Sequence, residues 1–281
     1  MKHICVITGG HGGMAHAIAT RLGQTHTLVL ASRDKALLDK EAADLSALGI
    51  EAFVLQADVR DRAQVAALAA FADQAGSVDL VLHTAGVSPA GADAEEVIAT
   101  NAIGTINVAE EFFPVVAEGG VMINFSSSSA YSMDPPQEWF DVFKLWDSPE
   151  FFDAMVALAG EKEEDADEDD EFFRAGIAYA CSKRFVISFT QQNTCRFMGR
   201  GVRILSVSPG TYLTPMHQLL LDKQPETAEA ALELTPAGRW GRPVEIAALV
   251  EFLCSPLAGY ICGADILADG GSTAMQRVPQ L

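Results

Sequence analysis

The amino-acid sequence predicts an α/β fold, a doubly wound parallel sheet of about seven strands with helices on both faces. Short apolar runs alternate with longer stretches of helical periodicity along most of the 281 residues, which is the pattern of repeated strand–helix units. Several apolar runs end in glycine, serine or aspartate, as strands do when their carboxyl ends border a ligand. With 49% hydrophobic and 20% charged residues, the composition is ordinary for a compact protein. We therefore expect residues 1–281 to form a single domain.

Charge and cysteine content exclude several classes of function. A net charge of −19 repels nucleic acids and anionic membranes, so we expect neither as a partner. The five cysteines are scattered without any Cys-x-x-Cys pair, which predicts no disulfide framework and no metal site. Met1 leads directly into a strand pattern, and no apolar run approaches the length of a membrane span. These features favour a soluble cytoplasmic protein.

The first strand–helix unit contains a glycine-rich turn. Strand Ile4–Ile7 runs into this turn, and a helix follows over Ala15–Leu22. Glycines let the backbone approach a phosphate closely, and the start of the helix offers unpaired N–H groups and the positive end of its dipole. The turn therefore predicts a dinucleotide site, with contacts from Gly9, His11, Gly12, Gly13 and Met14.

The end of the second strand bears on the choice of cofactor. Strand Thr27–Ala31 is followed by Ser32, Arg33 and Asp34, and then by a helical pattern over Lys35–Leu48. An acidic residue at this position binds the ribose hydroxyls of NAD, whereas an arginine accommodates the 2′-phosphate of NADP. Because Ser32 is uncharged and Arg33 is cationic, we predict NADP as the preferred cofactor, with NAD as the alternative. Asp34 is interpreted as the N-cap of the helix.

The alternation continues to the end of the chain. The sequence predicts strands at Ala52–Leu55, Val78–His83, Gly119–Phe125, Val202–Val207 and Ile266–Leu267, and helices at Arg62–Ala75, Ala94–Ala117 and Pro243–Cys254.

A further predicted helix carries an ionisable pair. Apolar residues recur at helical spacing around Tyr179, so Lys183 lies one turn beyond it on the same face. A nearby cation favours the phenolate and brings the pKa of the tyrosine towards the range of a general acid or base.

In this order, the motifs resemble short-chain dehydrogenase/reductases of the compact, single-domain type with a Rossmann fold. The resemblance covers nearly the whole chain and rests on the turn Thr8–Ala15, Asp58-Val59, Ala85-Gly86, Asn101, Asn124-Phe125-Ser126-Ser127, Tyr179-x-x-x-Lys183, Pro209-Gly210 with Thr214, and Asp269-Gly270-Gly271. Two positions depart from the family pattern. Ala15 replaces a third turn glycine, and His83-Thr84 stands where the family often has two asparagines.

The resemblance implies NAD(P)-dependent hydride transfer between the nicotinamide and an alcohol or carbonyl carbon, with four catalytic residues. Tyr179 would exchange a proton with the reacting oxygen, and Ser127 would hydrogen-bond that oxygen. Lys183 would lower the pKa of Tyr179 and hold the nicotinamide ribose. Asn101 would anchor a water that leads from Lys183 to solvent.

The resemblance also implies further cofactor contacts. These are Asp58, Val59, Ala85, Gly86, Tyr179, Lys183, Pro209, Gly210, Tyr212 and Thr214. The choice of Ser127 for the catalytic serine rests on the family register of Asn-x-Ser-Ser, which leaves Ser126 and Ser128 as alternatives.

One large departure separates Ser127 from Tyr179. An insertion occupies about residues 132–172, and its first part contains an aromatic cluster and a helix start at Ser148-Pro149-Glu150. Its apolar face would wall a substrate pocket, cover a subunit contact or pack on the core. Its last part, Glu161–Glu171, contains nine carboxylates and one lysine, and is interpreted as a solvated tract.

For the substrate, we hypothesise a secondary alcohol or ketone on a bulky apolar skeleton such as a hydroxysteroid. The aromatic insertion and the apolar residues Met216 and Leu219–Leu221 motivate this hypothesis. The alternatives are a reductase of a smaller ketone or sugar-derived substrate, an extended-type epimerase or dehydratase, and a non-catalytic dinucleotide sensor. A homo-oligomer is implied by the resemblance, either a dimer or a tetramer, and residues 243–267 are the favoured dimer contact.

Overall fold

A computed structural model describes residues 2–160, 171–223 and 225–277 and confirms the predicted fold class. Seven parallel strands form one sheet in the order β3-β2-β1-β4-β5-β6-β7. The strands are β1 His3–Thr8, β2 Thr27–Ser32, β3 Ala52–Gln56, β4 Ser77–His83, β5 Val116–Phe125, β6 Arg203–Pro209 and β7 Asp265–Ala268. Since β2 and β3 lie on one side of β1 and β4 lies on the other, the sheet has a switch point between β1 and β4, where such sheets bind ligands.

Helices cover both faces of this sheet. They are α1 Gly13–Leu22, α2 Lys35–Ala47, α3 Arg62–Ala75, α4 Ala94–Ile98, α5 Gly104–Phe112, α6 Gln137–Phe143, α7 Phe151–Gly160, α8 Glu171–Met198, α9 Pro215–Lys223, α10 Pro225–Glu233, α11 Pro243–Cys254 and α12 Ser272–Arg277. Within the described ranges, no helix is long and apolar enough to cross a membrane. Because the seven strands share one sheet, we infer that residues 1–281 act as a single dinucleotide-binding and catalytic domain.

The central strands consist of continuous apolar residues because helices cover both faces of the sheet. Ile4, Cys5, Val6 and Ile7 of β1 are fully buried. Ile4 and Val6 belong to the core that includes α3, α5 and α8, whereas Cys5 and Ile7 belong to the core that includes α1 and α11. Successive side chains of a strand point to opposite faces, so one short strand contributes to both cores.

The predicted helix Ala94–Ala117 is wrong in its extent. It is divided into α4, a π-helical turn and α5, and it ends at Phe112. Pro114 follows, and a proline removes a helical N–H and clashes with the preceding turn. β5 then begins at Val116, which pairs with Val78 of β4, three residues before the predicted start at Gly119.

The insertion packs on the core through α6 and α7, which contact α8. The ring of Phe185 on α8 lies 5.5 Å from the ring of Phe143 and 4.8 Å from that of Phe151. Trp146 contacts Phe189 edge-on, with 5.1 Å between ring centroids. Of the three roles considered for the apolar face, the structure shows core packing for these residues. Residues 161–170 of the acidic run lie outside the described residues.

A buried histidine ends β4 beside the switch point. Thr8 accepts a hydrogen bond from the N–H of Ala85 at 3.3 Å, and its hydroxyl lies 2.8 Å from Nδ1 of His83. Burial, and secondarily the charge of Lys183, lowers the pKa of His83 from 6.5 to about 3. His83 is therefore neutral throughout the physiological pH range.

The docking of the insertion predicts a large cost for truncating Phe185. We expect Phe185→Ala to lower the free energy of unfolding by about 3–5 kcal/mol, because it removes a buried ring and leaves a cavity. Urea unfolding measures the change. Met198→Ala on the same helix is the control, since Met198 is 45% exposed and its loss should cost less than about 0.5 kcal/mol. Equal effects of the two substitutions would contradict the packing described here.

The low pKa of His83 predicts an acid sensitivity. The unfolded chain takes up a proton at this residue near pH 6.5, whereas the folded protein does so only near pH 3. The free energy of unfolding should therefore fall as pH decreases below 6.5, with a slope from this group of up to about 1.4 kcal/mol per pH unit. Urea titrations at pH 7.5, 6.0 and 5.0 should show a shallower loss for His83→Asn, which cannot titrate. Equal losses of stability in the wild type and in His83→Asn would disprove the low pKa assigned to His83.

Candidate active site

A cleft of about 380 Å³ lies between the carboxyl ends of the strands and the first turns of α8. It is lined by Met14, Ser88, Pro89, Ala90, Ser126, Ser127, Ser128, Ser129, Ser132, Phe172, Gly176, Tyr179, Ala180, Pro209, Gly210, Thr211, Tyr212, Thr214 and His217. The cleft thus brings together two of the predicted catalytic residues, Ser127 and Tyr179, and all four predicted contacts at and after the end of β6.

The pair Tyr179 and Lys183 lies on α8, one turn apart, as the sequence predicts. Nζ of Lys183 lies 5.7 Å from the centroid of the Tyr179 ring and donates a hydrogen bond to the carbonyl oxygen of Phe125 at 3.0 Å. The phenol of Tyr179 is hydrogen-bonded with the side chain of Ser127. Three predicted catalytic side chains therefore meet where β5 ends.

Burial has the largest effect on the pKa values of this pair. Burial lowers the pKa of Lys183 from 10.5 to about 8. Burial raises the pKa of Tyr179, and the hydrogen bond with Ser127 opposes that rise without cancelling it. In this structure Nζ of Lys183 binds the Phe125 carbonyl and burial dominates the pKa of the phenol, and the lowering of that pKa by Lys183 stays a prediction.

Asn101 lies in the π-helical turn Ala99–Ile103 and holds the segment after β4. Its Oδ1 accepts from the N–H of Val87 at 3.0 Å, and its Nδ2 donates to the Val87 carbonyl at 3.1 Å and to the Ser182 hydroxyl at 3.3 Å. A Cβ on Gly86 would lie 3.1 Å from Asn101 Oδ1 and 3.2 Å from Lys183 Nζ. The side chains of Asn101 and Lys183 therefore both lie close to Gly86, which leaves room for them. The water-anchoring role of Asn101 stays a prediction.

The glycine-rich turn fits a dinucleotide. Gly9 has a φ of +66°, and a Cβ there would lie 2.9 Å from the backbone of Ala85. A Cβ on Gly13 would lie 2.9 Å from the side chain of Pro215, at the start of α9. The turn therefore leaves bare backbone at the beginning of α1, facing the segment that follows β6, and a bound pyrophosphate requires such close approach.

The side chains at the end of β2 meet those at the end of β3. The Ser32 hydroxyl lies 2.9 Å from Nδ1 of His11, and Nη1 of Arg33 donates to Oε1 of Glu96 at 2.8 Å. Arg60 lies 3.5 Å from the same Glu96 oxygen and also pairs with Asp58 at 2.6 Å. Sequence reasoning missed Arg60, although its position two residues after Asp58 was a usable signal.

One other predicted contact, Val59, and one missed residue, His217, also lie in this region. Val59 packs against Gly104, and its carbonyl accepts from Nδ2 of Asn107 at 2.8 Å, so it positions α5. His217 borders the cleft, is only 6% exposed and has no hydrogen-bond partner for either ring nitrogen among the described residues. Its place in a segment of mostly apolar residues gave no signal in the sequence.

Comparisons with known proteins agree with this arrangement. The family model for short chain dehydrogenase matches residues 3–137, and the model for enoyl-(acyl carrier protein) reductase matches residues 170–273. The chain is 30% identical to 2-(S)-hydroxypropyl-CoM dehydrogenase 3 of Xanthobacter autotrophicus, over 98% of both chains. It is 29% identical to galactitol 2-dehydrogenase (L-tagatose-forming) of Cereibacter sphaeroides, over 95% of this chain and 93% of the relative.

A solved structure shows the same fold. A short-chain dehydrogenase/reductase of Serratia marcescens superposes with a TM-score of 0.74 at 23% identity, over 96% of this chain and 98% of the other. The chain therefore belongs to the short-chain dehydrogenase/reductase family and is an NAD(P)-dependent oxidoreductase that acts on CH–OH and C=O groups.

Proposed function

We propose that this enzyme interconverts a secondary alcohol and a ketone in the cleft beside Tyr179. The observation that carries the proposal is the meeting of Ser127, Tyr179 and Lys183 where β5 ends, opposite the glycine-rich turn. A bound nicotinamide dinucleotide supplies or accepts the hydride. The chain itself must bind the reacting oxygen and move its proton.

Each of the three side chains has one task in this proposal. In the direction of reduction, Tyr179 donates its phenolic proton to the carbonyl oxygen, and in oxidation its phenolate removes the hydroxyl proton. Ser127, already hydrogen-bonded with the phenol, donates a hydrogen bond to the same oxygen as charge develops there. Lys183 holds the nicotinamide ribose and, with a pKa of about 8, exchanges protons near neutral pH.

For the cofactor, we propose NADP in preference to NAD. Gly9, Gly12 and Gly13 would hold the pyrophosphate, and Arg33 would bind the 2′-phosphate. Arg60 supports this choice, because it places a second guanidinium beside Glu96, within reach of the same end of β2. When Arg33 turns towards a phosphate, Arg60 still balances part of the charge of the Glu96 carboxylate.

For the substrate, we propose a smaller, oxygen-bearing ketone or sugar-derived compound over a hydroxysteroid. Phe143 and Phe151 of the insertion lie in the core, so the aromatic wall that motivated the steroid hypothesis is reduced to Phe172 at the cleft. Serine hydroxyls border the cleft, as does His217, whose ring nitrogens have no hydrogen-bond partner among the described residues, and these groups suit a polar substrate. The likeness to a galactitol dehydrogenase also supports this choice.

We further propose a homodimer through the surface of α11 and β7. Several large apolar side chains are exposed there, namely Val244, Phe252, Leu257, Tyr260 and Leu267. The insertion helices meanwhile occupy part of α8. Light scattering after size exclusion gives the number of copies, and a stable monomer or tetramer would count against the dimer.

The test of the catalytic proposal is Tyr179→Phe. Removing the proton donor should lower kcat by about 10²–10⁴-fold, while the affinity for the dinucleotide, measured by NADPH and NADH fluorescence, stays within about twofold. The substrate is chosen from a panel of galactitol, small secondary alcohols and a hydroxysteroid. Turnover of each compound is followed by nicotinamide absorbance. Met198→Ala is the control, since Met198 is an exposed residue at the far end of the same helix. If Tyr179→Phe keeps wild-type turnover, the assigned role is wrong. A protein that binds the dinucleotide but turns over no alcohol or ketone would be a sensor.

The cofactor proposal predicts a specificity change in Arg33→Ala. Losing charge-assisted hydrogen bonds to the 2′-phosphate should lower the ratio of kcat/KM for NADP to that for NAD by about 10–100-fold. Arg62→Ala is the matched control, because Arg62 is an exposed arginine that pairs with Glu111 on the neighbouring helix. A wild-type enzyme that prefers NAD, or a ratio unchanged by the substitution, would refute the assignment.

A further inference from the structure

Three hydroxyl groups, two from β6 and one from the turn after β5, converge on the carboxylate of Asp265, at the start of β7. Tyr131 donates to Oδ2 at 2.6 Å, and Ser208 donates to the same oxygen at 2.7 Å. Ser206 donates to Oδ1 at 2.6 Å. Hydrogen bonds to an ionised acceptor are shorter and stronger than neutral ones, so this carboxylate holds three chain segments in a fixed arrangement.

Two of the three donors lead directly to the cleft. Tyr131 ends the 3₁₀ turn Ser128–Tyr131, which Ser127 caps by accepting from the N–H of Ser129 at 3.2 Å. Ser208 immediately precedes Pro209 and Gly210, which line the cleft on its other side. Oδ2 of Asp265 thus connects the turn that follows the candidate catalytic Ser127 to the segment that follows β6.

Tyr131 also contacts the catalytic helix. The guanidinium of Arg184 lies 5.7 Å from the centroid of the Tyr131 ring and 5.6 Å from that of Phe140 in the insertion. Arg184 is the next residue after Lys183. The hydroxyl of Tyr131 is therefore held by Asp265 while its ring is held by α8, so the turn that follows Ser127 has restraints on two sides.

We propose that Asp265 is a positioning residue of the active site. Through Tyr131 it fixes the position of Ser127 relative to Tyr179, and through Ser208 it fixes the Pro209–Gly210 segment that borders the dinucleotide. The proposal rests on the function proposed above. Ser206 makes the same kind of bond to the other carboxylate oxygen from within β6, two residues further from the cleft, and so supplies an internal comparison.

The test separates the three bonds by single-hydroxyl deletions. Tyr131→Phe should lower kcat by roughly tenfold with the dinucleotide affinity unchanged, because only the placement of Ser127 is loosened. Ser208→Ala should weaken dinucleotide binding by roughly three- to tenfold with kcat within about twofold. Ser206→Ala should change neither by more than about twofold, and Asp265→Asn should show both defects. Kinetics use the panel alcohol with the highest turnover, and affinity is titrated directly with NADPH and NADH.

Urea unfolding of each variant distinguishes positioning from a purely structural role. If Tyr131→Phe, Ser208→Ala and Ser206→Ala lower stability alike and leave kcat and dinucleotide affinity unchanged, the proposal is overturned. It is also overturned if Asp265→Asn lowers kcat or the dinucleotide affinity while Tyr131→Phe and Ser208→Ala change neither. Absence of turnover in the wild type would refute the proposed function instead, and the NADPH and NADH titrations of Ser208→Ala would still decide this inference.

Discussion

The buried ammonium of Lys183 is the constraint on which the rest of the site depends. A charged group removed from water is costly unless it is hydrogen-bonded, and Nζ obtains such a bond from the carbonyl of Phe125. β5 must therefore end with that carbonyl turned towards α8. The turn after β4 also leaves room for the ammonium at Gly86, where a Cβ would lie 3.2 Å from Nζ. The same burial brings the pKa of Lys183 down to about 8.

The surroundings of the ammonium extend to the first strand. His83 lies near enough to Lys183 for its pKa to be lowered by that charge in addition to burial. Nδ1 of the neutral ring lies 2.8 Å from the hydroxyl of Thr8, the last residue of β1 before the glycine-rich turn. His83 thus links the glycine-rich turn to the surroundings of Lys183.

Local patterns in the sequence were enough to predict much of this. The pairing of Tyr179 with Lys183 follows from helical spacing, and the Asp34 cap, confirmed by its bond from the N–H of Leu37 at 3.0 Å, follows from residue type and position. The raised pKa of Tyr179 could not be predicted, because it depends on burial, which spacing does not reveal. The Asp265 cluster was equally hidden, since Tyr131 lies 134 residues away and only the order of the strands brings the two together.

The insertion has a different consequence from the one its aromatic content suggested. Its rings pack edge-on against Phe185 and Phe189 of α8. Its apolar surface therefore contributes to the core and does not form a lid over the substrate. Only its ends, Ser132 and Phe172, line the cleft among the described residues, and its helices act on the cleft through α8 and through Phe140, which contacts Arg184 beside Lys183. A segment attached in this way changes how rigidly the catalytic helix is held. The shape of the cleft itself is set mainly by the turns after β4, β5 and β6, which lie outside the insertion.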